Sequence, residues 1–339
     1  MSSASSFLSI DELIGRYADA QVVYVAAKLG LADLMYDKPR TVNEVADLVE
    51  ANPDALRRMM SSLVRLGVFE RKEHDTYQLA AGHEVLRSDH PHSIRSYVIV
   101  SGEVYYRAFA ELLHSVKTGK TGSEVAFGKN FFAYLNEHPD VFEHFNIHMS
   151  RRMRWDIEAA MEVYDFSPYK CVVDVGGGNG MLLSLLLQKY PQMQAILFEL
   201  PVAQRQANES LEQAGVANRC DLVSGDFFLD ALPKGGDLYI LSLILHDWDD
   251  EQAVRILQNC RQAMTPESKL ILIEFLLQES QEQSKTQRVE SEDLAMLVVT
   301  GGRERTSEQF RTLLNQAGFQ LIRVLPTQRR RNVIEATPY

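Results

Sequence analysis

The run Val172-Val173-Asp174-Val175-Gly176-Gly177-Gly178-Asn179-Gly180 carries residue types that can hold a nucleoside. Apolar residues lead into the glycines and Met181-Leu182-Leu183-Ser184-Leu185-Leu186-Leu187 follows them, so the segment reads as strand, tight turn and helix N-terminus. Glycine lets the backbone approach a ligand closely, and a helix start offers free N–H groups to an anionic group. Glu199 stands 19 residues past Gly180, at the tip of the next apolar run, where a carboxylate can hold a ribose diol.

A dinucleotide loop is expected to read G-x-G-x-x-G. Here Gly176, Gly178 and Gly180 alternate, Met181 takes the place of the third glycine, and Asp174 stands two residues before the first. S-adenosylmethionine presents a carboxylate, an ammonium and a sulfonium around a ribose, with no phosphate. Backbone donors flanked by carboxylates suit that mixture better than a pyrophosphate, so the loop points to S-adenosylmethionine rather than NAD.

Three further groups follow later apolar runs, at the strand ends where open α/β sheets bind ligands. Ser224-Gly225-Asp226-Phe227-Phe228 offers a carboxylate for an adenine amino group and a ring to stack on, or is an ordinary strand exit. Leu245-His246-Asp247-Trp248 places a histidine, which titrates near neutrality, on the crevice rim, where it can take a proton from a hydroxyl. Glu274 ends the next run and can orient that imidazole. Glu304, in Gly301-Gly302-Arg303-Glu304-Arg305-Thr306, is either a second orienter or the partner of its neighbouring arginines.

The elements that must position these residues can be read from spacing. Between Ser9 and Leu34 the apolar residues Leu13, Ile14, Tyr17, Val22, Val25, Ala26 and Leu29 follow a helical period, apolar enough to pack against a partner. Thr41-Val42-Asn43-Glu44 is a capping box for a helix through Val49. Asn52-Pro53 opens another, ended by Gly67. Val68–Arg71 and Thr76–Leu79 flank a polar turn as a hairpin. Helix, helix and hairpin make a winged-helix arrangement. Residues 94–165 read as helical and aromatic-rich. Strands are expected at 171–175, 195–199, 220–224, 237–241, 269–274, 319–325 and 332–337, the last two antiparallel because 326–331 is too short for a helical crossover.

Composition narrows the classes. A chain of 339 residues exceeds one core, so two domains are the default. Its net charge of −11 is dispersed, and the second helix of the winged helix offers only Arg57, Arg58 and Arg65, which argues against a nucleic-acid surface. The one basic run, Arg329-Arg330-Arg331, reads as a solvated turn before the last strand. No apolar segment approaches the ~20 residues of a membrane span, and Met1-Ser2-Ser3-Ala4-Ser5-Ser6 does not open a signal peptide. Cys171, Cys220 and Cys260 lack metal or redox spacing, as expected of reduced thiols in a cytoplasmic protein. No metal is expected.

Taken in order, the glycine loop, Phe198-Glu199-Leu200-Pro201, Gly225-Asp226-Phe227-Phe228, Leu245-His246-Asp247-Trp248 and Gly302-Arg303-Glu304-Arg305-Thr306 resemble the two-domain small-molecule O-methyltransferases. That family includes plant phenolic, hydroxyindole and bacterial polyketide and phenazine enzymes. The likeness covers nearly the whole chain. It implies a Rossmann-like class I methyltransferase sheet, of α/β class, with an N-terminal α-helical winged-helix dimerisation domain. The expected division is 1–100 for dimerisation, 101–165 as a helical linker lining the substrate pocket, and 166–339 for cofactor binding.

The resemblance also implies roles. His246 is the general base flanked by Glu274 and Glu304. Cofactor contacts fall to Met153, Asp174, Gly176, Gly178, Glu199, Gly225, Asp226, Phe227 and Ser242, and substrate contacts to Met149, Trp155, Asp247 and Met296. Ser242 stands where plant members carry a lysine that helps bind the cofactor, and many members have aspartate at the position of Glu199. The longer arm of Glu199 should still serve, and the Ser242 departure suits a bacterial type. Val125-Ala126-Phe127-Gly128 and Phe131-Phe132-Ala133-Tyr134-Leu135 resemble bacterial members that act on phenazine-type tricycles.

The expected reaction is transfer of a methyl group to a hydroxyl of a small aromatic or polyketide-like acceptor, with His246 removing the hydroxyl proton. A phenol titrates near ~10 and a free histidine near ~6.5, so that proton transfer is uphill unless coupled to attack. The alternatives are N-methylation on the same scaffold, which needs no base, and a winged-helix regulator that senses S-adenosylmethionine. A homodimer is expected, as the resemblance also implies; in such dimers the N-terminal segment of one chain often closes the partner's pocket.

Overall fold

The computed structural model describes residues 9–277, 292–329 and 331–339. The chain divides into two compact units, one of Met1–Arg107 with Phe132–His148, the other of Ala108–Phe131 with Met149–Tyr339.

The first unit opens with α1 (Ile10–Lys28) and α2 (Leu31–Leu34). The helical period expected to run unbroken to Leu34 is interrupted between them, because Gly30 adopts φ 67°, a left-handed conformation that ends one helix and starts the next. β1 (Arg40–Thr41) leads into α3 (Val42–Leu48), whose capping box is formed by Thr41 and Glu44. α4 (Pro53–Arg65) starts at Asn52, whose side chain accepts from the Ala55 amide. β2 (Phe69–Arg71) and β3 (Thr76–Leu79) form the expected hairpin, and the small sheet runs β1-β3-β2. Leu31, Met35, Met60, Leu63 and Phe69 centre the core. At the start of α1, Ile10, Leu13, Ile14 and Tyr17 are exposed.

The helical stretch that follows holds α5 (Arg95–Val100), α6 (Tyr106–Ala110), α7 (Leu112–Thr118), α8 (Gly122–Phe127), α9 (Phe131–Glu137) and α10 (Pro139–Val163).

In the second unit strands and helices alternate: β4 (Cys171–Val175), α11 (Met181–Lys189), β5 (Gln194–Glu199), α12 (Pro201–Gln213), β6 (Cys220–Ser224), β7 (Leu238–Ser242), α13 (Asp250–Ala263) and β8 (Lys269–Phe275). α14 (292–299), α15 (Ser307–Gln316), β9 (Phe319–Pro326) and β10 (Arg331–Pro338) complete it. The sheet order is β6-β5-β4-β7-β8-β10-β9, with β10 antiparallel to both neighbours. All seven expected strands are present, each within a residue of its expected ends.

Alternate residues feed two apolar layers. Val173, Leu241 and Leu272 pack toward α13 and α15, while Val172, Ile240 and Ile271 pack with Leu182 and Leu186 of α11 and Ile157 of α10. Burial on both faces explains why these strands read as continuous apolar runs. β4 is followed in space by β5 on one side and β7 on the other, so the crevice opens at its carboxyl end.

One expectation is overturned at the sheet edge. Arg331 is 1% exposed, because it enters β10 opposite Phe275 and packs beneath α10 rather than remaining in a solvated turn. Arg330 lies outside the described residues.

Candidate active site

The carboxyl ends of five parallel strands gather the groups singled out from the sequence. β4 delivers Asp174, which is fully buried with neither carboxylate oxygen hydrogen-bonded. Loss of solvent, and then the Glu199 carboxylate, push its pKa up to about 8. Just beyond, Gly176 has φ 73°, and a Cβ there would stand 2.6 Å from Ile244 Cδ1. Only glycine lets the strand-to-helix turn approach that side chain so closely. Glu199, ending β5, accepts the Gly178 amide at 2.8 Å and the Leu200 amide at 2.7 Å. Burial still raises its pKa against those two bonds.

Beyond β6, Gly225 packs on the Phe198 ring, and the Asp226 carboxylate accepts the Phe228 amide at 2.8 Å. Phe227 meets Phe228 and Trp248 edge to face, with centroids 4.9 and 6.0 Å apart. Ser242, ending β7, is buried with an unpartnered hydroxyl. Met149 and Met153 lie half-buried on α10, as does Trp155, beneath the Arg329 guanidinium. Met296 is half-buried on α14, where its carbonyl accepts the Gly301 amide.

The turn after β7 is held from several directions. Leu243 adopts φ 55°, a strained conformation for a branched side chain. Glu274 Oε1 accepts the Ile244 and Leu245 amides at 3.1 and 2.9 Å. Arg305, 0% exposed, donates to the carbonyls of Leu245 and Trp248 and to Asp250. The Arg303 amide donates to the His246 carbonyl at 2.8 Å. Gly302 permits that approach, since a Cβ on it would lie 1.9 Å from the same oxygen.

These contacts fix His246. Its Nδ1 is 2.9 Å from Glu304 Oε1, and its Nε2 is 3.9 Å from Asp247 Oδ1, too far for a hydrogen bond. With Glu304 as the acceptor, the proton of the neutral ring sits on Nδ1, so Nε2 is the nitrogen that gains and loses a proton. Burial alone would lower the His246 pKa, but Asp247, Glu274 and Glu304 together overcome it and hold it at about 9. Glu274 is raised to about 7 by burial against the opposing pull of His246, and burial raises Asp247 as well.

Glu304 therefore bonds to the imidazole rather than to its arginine neighbours. Glu274 lies in the same cluster, but its hydrogen bonds position the turn and not the ring. Sequence reasoning missed Gly302, Arg305, Asp293 (which accepts the Glu304 amide at 2.8 Å) and Ser150, which accepts from Asn179. The pairing of two glycines with two arginines in one short motif was the available signal for Gly302 and Arg305. Ser150 and Asp293 gave none.

Ligand atoms of His246, Glu274 and Glu304 lie within 4.8 Å of one another, as a metal site would require. A 2.9 Å Nδ1–Oε1 spacing is that of a shared proton, and Glu274 Oε1 is committed to two amides. The cluster therefore pairs a buried imidazole with a buried carboxylate. The crevice beside it suits a cationic nucleoside: Asp174 is a buried carboxylate lacking any donor, Ser242 a buried hydroxyl lacking a partner, and Gly176 leaves room at the backbone.

Comparison with known proteins gives the same chemistry. Residues 109–320 match the model of an O-methyltransferase domain and residues 11–86 that of an O-methyltransferase dimerisation domain. The chain is 42% identical over 327 residues to a phenazine O-methyltransferase of Lysobacter antibioticus, covering 96% of this chain and 95% of that one. It is 30% identical over 306 residues to a phenazine-1-carboxylate N-methyltransferase of Pseudomonas aeruginosa, 90% of each. An O-methyltransferase from neocarzinostatin biosynthesis, solved with S-adenosylmethionine and 2-hydroxy-5-methyl naphthoic acid, superposes with a TM-score of 0.89. Its identity is 31%, over 99% of this chain and 100% of that one.

Proposed function

The chain belongs to the S-adenosylmethionine-dependent O-methyltransferases that act on small aromatic or secondary-metabolite substrates, and from that premise we propose that it methylates a phenolic hydroxyl with His246 as general base. The observation that carries this reading is the buried pairing of His246 Nδ1 with Glu304, which leaves Nε2 as the proton acceptor.

When bound, S-adenosylmethionine supplies an electrophilic methyl group on a sulfonium sulfur. Asp174 and Glu199 face that cationic nucleoside with carboxylates, Gly176 and Gly178 with backbone, and Asp226 and Phe227 with the loop after β6. Ser242 offers its hydroxyl at the foot of the crevice, Gly225 lets the loop after β6 sit on Phe198, and Met153 contributes apolar surface from α10. Met149, Trp155, Asp247 and Met296 line the acceptor side.

His246 Nε2 takes the hydroxyl proton as the oxygen becomes nucleophilic. A conjugate acid near 9 brings the imidazole close to the ~10 of a phenol, so the transfer is nearly balanced rather than steeply uphill. General-base help of this kind is worth ~10²–10⁴-fold. Holding the acceptor in line contributes more, up to ~7–11 kcal/mol. Glu274 and Glu304 keep the base in place.

The acceptor class is an aromatic of phenazine or polyketide type. The relative that acts on phenazines supports a tricyclic phenol. N-methylation is the second reading, favoured by relatives named as N-methyltransferases. An amine needs no base, and the buried His246–Glu304 pair weighs against it. The dimerisation-domain match and the exposed Ile10, Leu13, Ile14 and Tyr17 support a homodimer through the N-terminal winged-helix unit. Three unpaired thiols suit a reducing cytoplasm. Incubation with methyl-labelled S-adenosylmethionine and a panel of phenols, followed by mass spectrometry, tests the reaction. Methyl ethers are expected; label on nitrogen alone, or on no acceptor, contradicts it.

A further inference from the structure

Of the five residues from Gly176 to Gly180, only Asn179 has a side chain, so it alone can tie the glycine loop sideways to a neighbouring element. Its carboxamide serves two elements of the second unit. Oδ1 accepts the Met181 amide at 3.2 Å, at the start of α11, where Gly180 brings no side-chain cap. Nδ2 donates to the Ser150 hydroxyl on α10. A backbone amide can only donate, so Met181 fixes which end of the carboxamide faces it and turns the NH2 group toward Ser150. Ser150 stands on the stripe of α10 that carries Met153, Ile157 and Ala160, at helical spacing. Ile157 and Ala160 pack with Leu182 and Leu186, and Met153 and Met181 lie against that layer. One turn before Met153 the stripe carries a hydroxyl, where it meets the glycine loop.

The loop is held on its other side by β5, whose Phe198 carbonyl accepts the Gly176 amide and whose Glu199 carboxylate accepts the Gly178 amide, both at 2.8 Å. Gly176, Gly178 and Gly180 are all left-handed, at φ 73°, 58° and 73°. Glycine gives such a backbone little stiffness of its own, so its anchors set its shape. Resting on the S-adenosylmethionine-dependent reading above, we propose that Ser150 is a positioning residue for the cofactor, holding the Asn179 carboxamide so that the glycine loop is fixed between β5 and α10 in the shape that receives S-adenosylmethionine. A loop fixed beforehand spares the ligand the cost of ordering it, and affinity rises accordingly. Without the Ser150 hydroxyl the Asn179 NH2 group loses its acceptor, and the loop keeps its β5 anchors alone.

The test is calorimetric titration of the full-length protein with S-adenosylmethionine and with S-adenosylhomocysteine. Ser150→Ala is expected to bind both about three- to tenfold more weakly, the range of one part-buried hydrogen bond. Ser150→Thr keeps the hydroxyl and should recover most of that loss. Asn179→Ala removes the other partner, and because the two residues act through one bond, the double variant should bind no more weakly than Asn179→Ala alone. In a methylation assay the Ser150→Ala defect should appear in the KM for S-adenosylmethionine more than in kcat. Ser150→Ala affinity within about twofold of wild type, or losses that add in the double variant, would overturn the assignment. If Asn179→Ala fails to fold, the contrast between alanine and threonine at position 150 decides. Methyl transfer by the wild-type protein to a phenol, assayed separately, reports on the O-methylation reading alone. A protein that binds S-adenosylmethionine but methylates no phenol contradicts that reading and leaves the Ser150 comparison standing.

Discussion

Replacing Gly302 with alanine gives the sharpest test of how the base is positioned. The added Cβ would sit 1.9 Å from the His246 carbonyl oxygen and 2.5 and 2.7 Å from the Asp247 carbonyl carbon and Cα. A carbon and a carbonyl oxygen approach to roughly 3.3 Å at closest, so one loop must retreat by more than about 1 Å. Every atom in the way is backbone, and no rotamer change relieves the clash. The retreat pulls the Arg303 amide off the His246 carbonyl, a 2.8 Å bond, and draws Glu304 away from Nδ1, now at 2.9 Å. A displacement of that size at a reacting group is worth ~10²-fold in rate. Overpacking of this kind costs about 1–3 kcal/mol of stability. The glycine loop of β4 meets this turn through the Ile244 side chain rather than through His246 or Asp247, so cofactor affinity should change less than about threefold. Single-turnover kinetics with a phenolic acceptor, alongside titration with S-adenosylmethionine, separate the two effects. A Gly302→Ala enzyme that turns over within about threefold of wild type would refute the reasoning.

Three further outcomes follow from the same geometry. Glu304→Gln keeps the shape of the pair but removes a charge that raises His246, so the rising limb of the pH–rate profile, expected near 9 in the wild type, should move to lower pH; an unmoved limb in a rate assay would contradict this. Asp174→Asn removes a buried, unpaired carboxylate: the cofactor-free melting temperature should rise, while S-adenosylmethionine binds about tenfold or more weakly. Melting that falls together with unchanged affinity would count against the assignment. Asp174 and His246 both have folded-state pKa values above their ordinary ones, so the folded protein holds their protons where the unfolded chain does not, and that stabilisation is lost as pH rises through about 8 and about 9. Thermal melts should therefore show the cofactor-free protein weakening from pH 7 to 9.5; a rising melting temperature across that window is the contrary result.

Much of the site is visible in the sequence because each element announces itself locally. The glycine loop is flanked by an apolar run and a leucine-rich helix, and Glu199, His246 and Glu274 each fall at the end of such a run. Strand ends in a parallel sheet converge, so reading the ends is enough to bring these side chains together. What stays hidden depends on contacts between distant segments. Arg331 looks like part of a solvated basic turn until the β10–β8 register buries it opposite Phe275. Gly302 looks like a flexible turn until the His246 carbonyl is found where its Cβ would be. Periodicity carried α1 past Lys28 because Leu29 and Leu34 keep the apolar pattern, whereas Gly30 turns the backbone left-handed.

The account rests most heavily on His246 Nε2 as the proton acceptor. The direct test is the single-turnover rate of His246→Ala with saturating S-adenosylmethionine and a phenolic acceptor, measured beside its cofactor affinity. The rate should fall by ~10²–10⁴-fold while the affinity stays within a few-fold of wild type. A variant that binds the cofactor and methylates the phenol at close to the wild-type rate would contradict the mechanism.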